Sequence, residues 1–152
     1  MRVAEIMSMP AVTNSTDGAL TSAAELMWRQ QTGSLVVIDE GRIVGIVTER
    51  DILRTVAGGK DLSGVVVGDV MSEELVTTTP DTPVRTAART MARHWIRHLP
   101  VVEDGRLVGI ISQRDITGVF AALLPVSGEP VIDTDALVRE QRLARIEAGD
   151  LD

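Results

Sequence analysis

The chain has 152 residues, a net charge of −7 and no cysteine, a length that suggests one domain burying roughly 70% of its unfolded surface. The negative charge argues against a nucleic-acid or anionic-membrane face, since both partners are polyanions, although it leaves room for a local basic pocket. The lack of cysteine excludes thiolate nucleophiles, disulfide scaffolds and Cys-based zinc sites and fits a reducing compartment, and two histidines leave little for a His-rich metal site.

The first residues, Met1-Arg2-Val3-Ala4-Glu5, show no apolar signal core, and the longest apolar stretch, Val119–Leu124, is far too short to span a bilayer. A soluble, cytoplasmic protein is expected. In chain order, a short strand at Val12-Thr13 precedes a Thr/Ser/Asp-rich stretch, Thr13–Asp17, whose side-chain oxygens suit a helix N-cap. An apolar stripe at helical spacing follows, made of Leu20, Ala23, Ala24 and Met27. Two strands rich in β-branched residues, Leu35–Asp39 and Ile43–Val47, are joined by Asp39-Glu40-Gly41, whose glycine suits a hairpin turn. A second helix opens at Thr48, and Gly58-Gly59-Lys60-Asp61 begins a linker.

The same order then recurs. A shift of 64 positions superposes residues 6–52 on 70–116 with 19 of 47 identities and no gap, far beyond chance. The strongest stretch lays Gly41–Ile52 on Gly105–Ile116. The second copy therefore carries a short strand at Val76-Thr77, the cap-rich Thr77–Asp81 and a helix with Val84, Ala87, Ala88 and Met91. Strands Leu99–Glu103 and Leu107–Ile111 and a helix from Ser112 complete it. The expected fold class is α/β (α+β), with two β-α-β-β-α repeats at 1–60 and 69–124 around a linker at 61–68. A tail at 125–152 follows, with a terminal helix over Asp133–Glu147. One unit of this size buries too little surface to stand alone, so the two are expected to pack sheet to sheet about a pseudo-twofold axis, with a symmetric pair of crevices between them.

Catalytic machinery is not evident. Neither His94 nor His98 lies near a nucleophile elbow, no phosphate-binding glycine loop occurs, and the acid pairs Asp39-Glu40 and Glu103-Asp104 sit in turns where solvated carboxylates are ordinary. The junctions Gly45–Asp51 and Gly109–Asp115 are more telling. Thr48 with Asp51, and Ser112 with Asp115, have the spacing of a capping box. The same groups suit a nucleotide, because a helix N-terminus attracts phosphate and a carboxylate accepts hydrogen bonds from ribose hydroxyls. Arg50 and Arg114 either add positive charge there or face water. Arg97-His98-Leu99-Pro100 opens a strand with two cationic-capable side chains, either a solvated loop or a grip for an anion, and its counterpart Gly33-Ser34-Leu35-Val36 has neither charge nor proline. Trp28 and Trp95 read as packing or interface residues, so a purine would lie between aliphatic side chains.

The paired units, with a Gly-h-h-Ser/Thr-x-x-Asp junction in each (h, apolar) and Arg97–Ile116 in the second, resemble a tandem CBS-domain protein, or Bateman module, over about residues 3–124. The resemblance implies a non-enzymatic adenosyl sensor that binds AMP, ADP or ATP, with S-adenosylmethionine or NAD as alternatives, and needs no cofactor. It implies that Asp51 and Asp115 bind ribose and that Thr48 and Ser112 lie beside the ribose or phosphate. One crevice would join Thr48 and Asp51 to Thr79, Pro80, Arg97, His98, Leu99 and Pro100. The other would join Ser112, Arg114 and Asp115 to Thr13, Asn14, Thr16, Ser34, Leu35 and Val36. The second lacks the proline and the basic pair, so weaker binding or a different ligand is expected there. Such modules commonly dimerise into flat discs, so a homodimer and an unidentified client protein are the expected partners, with no DNA and no membrane. The competing reading is a protein-interaction or dimerisation module whose nucleotide sites are vestigial and whose Asp51 and Asp115 only cap helices. An enzyme using His98, or a single-strand nucleic-acid binder, is disfavoured by the missing machinery, the charge and the scarcity of aromatic residues.

Overall fold

A computed structural model describes residues 1–123, and residues 1–122 form one compact unit that holds both repeats. The terminal helix expected over Asp133–Glu147, like the end of the second repeat past residue 123, lies outside the described residues.

The first repeat runs β1 (Thr13–Asn14), α1 (Leu20–Gln30), β2 (Ser34–Asp39), β3 (Arg42–Thr48) and α2 (Glu49–Ala57). The second runs α3 (Val84–His94), β4 (His98–Glu103), β5 (Arg106–Ser112) and α4 (Gln113–Leu123). β2 pairs antiparallel with β3 and parallel with β1, and β4 pairs antiparallel with β5. The counterpart of β1 is a single parallel bridge from Thr78 to Val101, one residue beyond the strand expected at Val76-Thr77. Both hairpins turn through two positive-φ residues, Glu40-Gly41 (45° and 77°) and Asp104-Gly105 (49° and 75°). Positive φ at both central positions matches the right-handed twist of the strands, which is why a glycine stands second in each turn.

The repeats exchange their leading segments. Val3, in a 3₁₀ turn at Val3–Glu5, is fully buried with Val84, Ala87, Met91, Leu99, Val101 and Ile111 of the second repeat. Val67, in the matching turn Val67–Asp69, is fully buried with Leu20, Ala23, Met27, Leu35, Val37 and Val47 of the first. Backbone pairing obeys the same symmetry. Ser8 exchanges two hydrogen bonds with Ile110 (2.8 and 3.1 Å), and Ser72 exchanges two with Ile46 (2.9 and 3.0 Å).

This exchange fixes two sequence features. A Cβ on Gly45 would fall 2.7 Å from Met71 Sδ and 3.0 Å from the Ser72 carbonyl. On Gly109 it would fall 2.9 Å from both Met7 Sδ and the Ser8 carbonyl. Glycine therefore opens each Gly-h-h-Ser/Thr junction because a second chain crosses it. The exchange also corrects the caps expected from Thr13–Asp17 and Thr77–Asp81. The N-cap residues are Ala19 and Pro83, with no side-chain cap bond. Instead, carbonyls of the incoming segments accept from the first helical amides, Val65 from Leu20 (2.9 Å) and Met1 from Val84 (3.2 Å). Orphan amides at a helix start take any acceptor in reach, and here the partner segment supplies it.

Candidate functional site: two crevices at the strand-to-helix junctions

Each strand-to-helix junction ends in a carboxylate tied to the residue that begins the turn. Asp51 Oδ2 accepts from the Thr48 backbone N–H (2.7 Å) and from Thr48 Oγ1 (2.8 Å). Asp115 Oδ2 accepts from the Ser112 N–H (2.7 Å) and Ser112 Oγ (2.7 Å), and the Asp115 N–H donates back to Ser112 Oγ at 3.3 Å. Helix capping is thus real at both sites. It uses one oxygen of each carboxylate, whereas an ionised carboxylate has about four acceptor positions. The second oxygen of Asp51 lies 3.6 Å from Arg54 Nη1.

Two crevices open beside these junctions. The smaller, about 170 Å³, brings together Thr48, Asp51, Arg97, His98 and Pro100, with Arg50, Arg54, Glu74 and Trp95. The larger, about 830 Å³, brings together Ser112, Arg114 and Asp115. Its apolar wall is Pro10, Val12, Ala24, Met27 and Trp28, and Glu49, Arg97 and His98 also face it. Small-molecule sites usually measure roughly 300–1,000 Å³. The crevice expected to lack the basic pair is the roomier one, and Arg97 and His98 reach it after all, because they also stand beside Gly33 and Glu49.

Several expected residues lie elsewhere. Leu99 and Leu35 are fully buried in the two cores, and Val36 is fully buried in β2. Thr79 shares a hydroxyl contact with Thr82 (2.9 Å), and the Pro80 carbonyl accepts from the Ala4 N–H (2.9 Å). Thr13 belongs to β1, Asn14 Oδ1 accepts from the Ser15 N–H (2.7 Å), and the Thr16 carbonyl accepts from the Gly68 N–H (2.8 Å). The Pro80 and Thr16 carbonyls thus help to hold the exchanged segments. Crevice walls fall instead on close neighbours, Val12, Thr32 and Gly33. Ser34 is 1% exposed, and its Oγ has no hydrogen-bond partner.

Of the packing or interface roles expected for the tryptophans, core packing does not apply to Trp28. Trp28 is 78% exposed at the larger crevice, and Trp95 lines the smaller with a positive φ of 53°. One aromatic ring thus stands at each crevice, so aliphatic side chains are not the sole surface on offer to a base. Nothing in the sequence signals this, since the two residues occupy non-equivalent repeat positions.

Charge differs between the crevices. Arg50, Arg54 and Arg97 face Asp51 and Glu74 in the smaller, whereas Arg97 and Arg114 face Glu49 and Asp115 in the larger. Arg97 Nη2 pairs with Glu49 Oε1 at 3.0 Å across the repeats. Burial, reinforced by the Arg97 charge, holds His98 below its ordinary pKa, with Glu49 and Asp115 acting in the opposite sense. Among the described residues no cluster of three or more His, Asp or Glu is placed to hold a metal ion, and no helix is long and apolar enough to cross a membrane.

The sequence profile of the CBS domain matches residues 3–58 and again residues 67–122. The chain belongs to the CBS-domain family. This CBS pair is 38% identical to the CBS domain-containing protein YhcV of Bacillus subtilis, over 75% of this chain and 81% of that one. Other curated relatives are longer, and the CBS pair spans 52% and 40% of two of them. Among solved structures, it is similar to the CBS domain pair of protein MJ0100 in complex with 5'-methylthioadenosine and S-adenosyl-L-methionine. That likeness has a TM-score of 0.75 and 31% identity, covering 80% of this chain and 97% of that one. It is also similar to CBSX2 in complex with AMP, with a TM-score of 0.69 and 25% identity, covering 82% and 99%.

Proposed function

We propose that this CBS pair is a non-enzymatic regulatory module that binds an adenosyl ligand between its repeats and signals through a partner protein or through self-association. The carrying observation is that Thr48/Asp51 and Ser112/Asp115 each open onto a crevice that also holds Arg97 and His98. The carboxylate oxygen that takes no part in capping suits ribose hydroxyls, at Asp51 in exchange for its contact with Arg54, and the helix start with its adjacent arginines suits phosphate. The neighbours in complex with AMP and with S-adenosyl-L-methionine support the same ligand class. AMP, ADP or ATP is the first choice, with S-adenosylmethionine or NAD next. The Ser112/Asp115 crevice is the first site, on its volume and its apolar wall. Leu53 and Val56 on α2 and Phe120 on α4 are exposed and support the self-association arm.

Because Trp28 and Trp95 stand at the crevices, intrinsic fluorescence reports occupancy. Titration with AMP is expected to change the emission saturably, and Asp115→Asn to abolish the part due to the larger crevice. Emission indifferent to millimolar AMP, ATP and S-adenosylmethionine would leave the interaction-module reading in its place.

A further inference from the structure

Arg97 and His98 alone, among the described residues, line both crevices. The repeat symmetry explains why there is one such pair and not two. Position 97 corresponds to Gly33 and position 98 to Ser34. A Cβ on Gly33 would fall 2.9 Å from Glu49 Oε1 and 3.3 Å from His98 Cε1, so one side chain from each repeat stands where a larger residue at 33 would reach. Each crevice has private cations, Arg50 and Arg54 in the smaller and Arg114 in the larger. The cation between them is common property. Arg97 is held by Glu49, whose side chain faces the larger crevice. That ion pair is about half exposed, with side-chain exposures of 48% and 60%, so it is weak enough for an anionic ligand to break.

We infer that the two crevices compete for Arg97, so that an anionic adenosyl ligand in one lowers the affinity of the other. The inference rests on the adenosyl-binding reading above and adds its regulation. A single guanidinium drawn into one crevice by a phosphate is withdrawn from the other side of the repeat interface. The cost of the lost partner falls on whichever ligand binds second, and by linkage the effect is reciprocal. The module would then respond to ligand in two separated concentration ranges.

Isothermal titration with AMP tests this on four proteins: the wild type, Asp51→Asn, Asp115→Asn and Arg97→Ala. The two Asn variants each silence one crevice and yield the other's own dissociation constant. Two independent sites with those constants define the uncoupled isotherm. The wild type is expected to bind its second AMP about tenfold more weakly than that isotherm, a coupling typical of allosteric pairs. In Arg97→Ala both sites weaken, and the stepwise constants return to the uncoupled ratio. A wild-type isotherm that matches two independent sites overturns the inference, as does coupling that survives Arg97→Ala. A crevice that stays empty even in its own single-site variant also overturns it, while leaving the other crevice as a sensor. Absence of heat in all four proteins with AMP, and again with ATP and S-adenosylmethionine, would instead overturn the adenosyl reading itself.

Discussion

At the level of single residues, Asp51 and Asp115 cap with one oxygen, and the proposed ribose contact falls to the other. Asparagine keeps one carbonyl oxygen for the Thr48 or Ser112 donors but offers an NH₂ where ribose would need an acceptor. Asp51→Asn and Asp115→Asn should therefore cost little stability without ligand, whereas the Ala variants lose about 1 kcal/mol of capping in urea unfolding. Both substitutions should erase ligand-dependent stabilisation at their own crevice. A full ligand shift retained in both Asn variants would mean that the carboxylates only cap. His98 gives a pH signature. Its folded pKa lies below the ordinary 6.5, so between the two values the unfolded chain binds more protons and stability rises with pH. No penalty applies above about pH 7, and a penalty accrues as pH falls through the unfolded value. The groups facing it are Arg97 and Arg114 against Glu49 and Asp115. Urea midpoints of wild type and His98→Gln at pH 7.5 and 5.5 should differ in that sense, the variant losing less on acidification. A phosphate beside His98 favours its protonated form, so as pH falls from 7.5 to 6 the AMP affinity of wild type should rise relative to that of His98→Gln, the comparison cancelling the phosphate's own titration at about pH 6.

The elements show what the sequence made legible and what it hid. The repeat offset, the strand pairs and the hairpin glycines could be read directly, because alternating β-branched residues and a turn glycine act over a few neighbouring positions. The exchange of leading segments could not be read, because Val3 and Val67 are ordinary apolar residues whose partners lie a whole repeat away. That same exchange moved the helix caps from side chains to backbone carbonyls, and Thr79, Pro80, Thr13, Asn14 and Thr16 fall outside the residues lining the two crevices. The candidate carboxylates were legible because capping and ribose binding both call for a carboxylate acceptor at a helix start. Glu49, Trp28 and Trp95 were not, since their role depends on the other repeat. Two expectations follow for the elements. Val3→Ala should destabilise the chain by about 2 kcal/mol although it lies at the third residue, as deletion of a fully buried side chain does. Gly109→Ala should cost about 1–3 kcal/mol, because its Cβ meets a backbone carbonyl that cannot swing away. A Val3→Ala urea midpoint equal to wild type would contradict the exchanged packing.

For the whole molecule, the exchange makes the two repeats one cooperative body, each contributing a buried valine to the other's core. A ligand held between them touches both, so its binding energy appears as stability of the entire unit. The central claim is that this unit binds an adenosyl compound, and thermal unfolding against AMP, ADP, ATP, S-adenosylmethionine and NAD tests it most directly. A ligand at about 100 times its dissociation constant adds about 2.7 kcal/mol, which for a domain of this size raises the midpoint by roughly 5–11 °C. A rise of that size for one or two of the compounds, lost in Asp115→Asn, is the predicted result. A midpoint unmoved by millimolar concentrations of all five would contradict it.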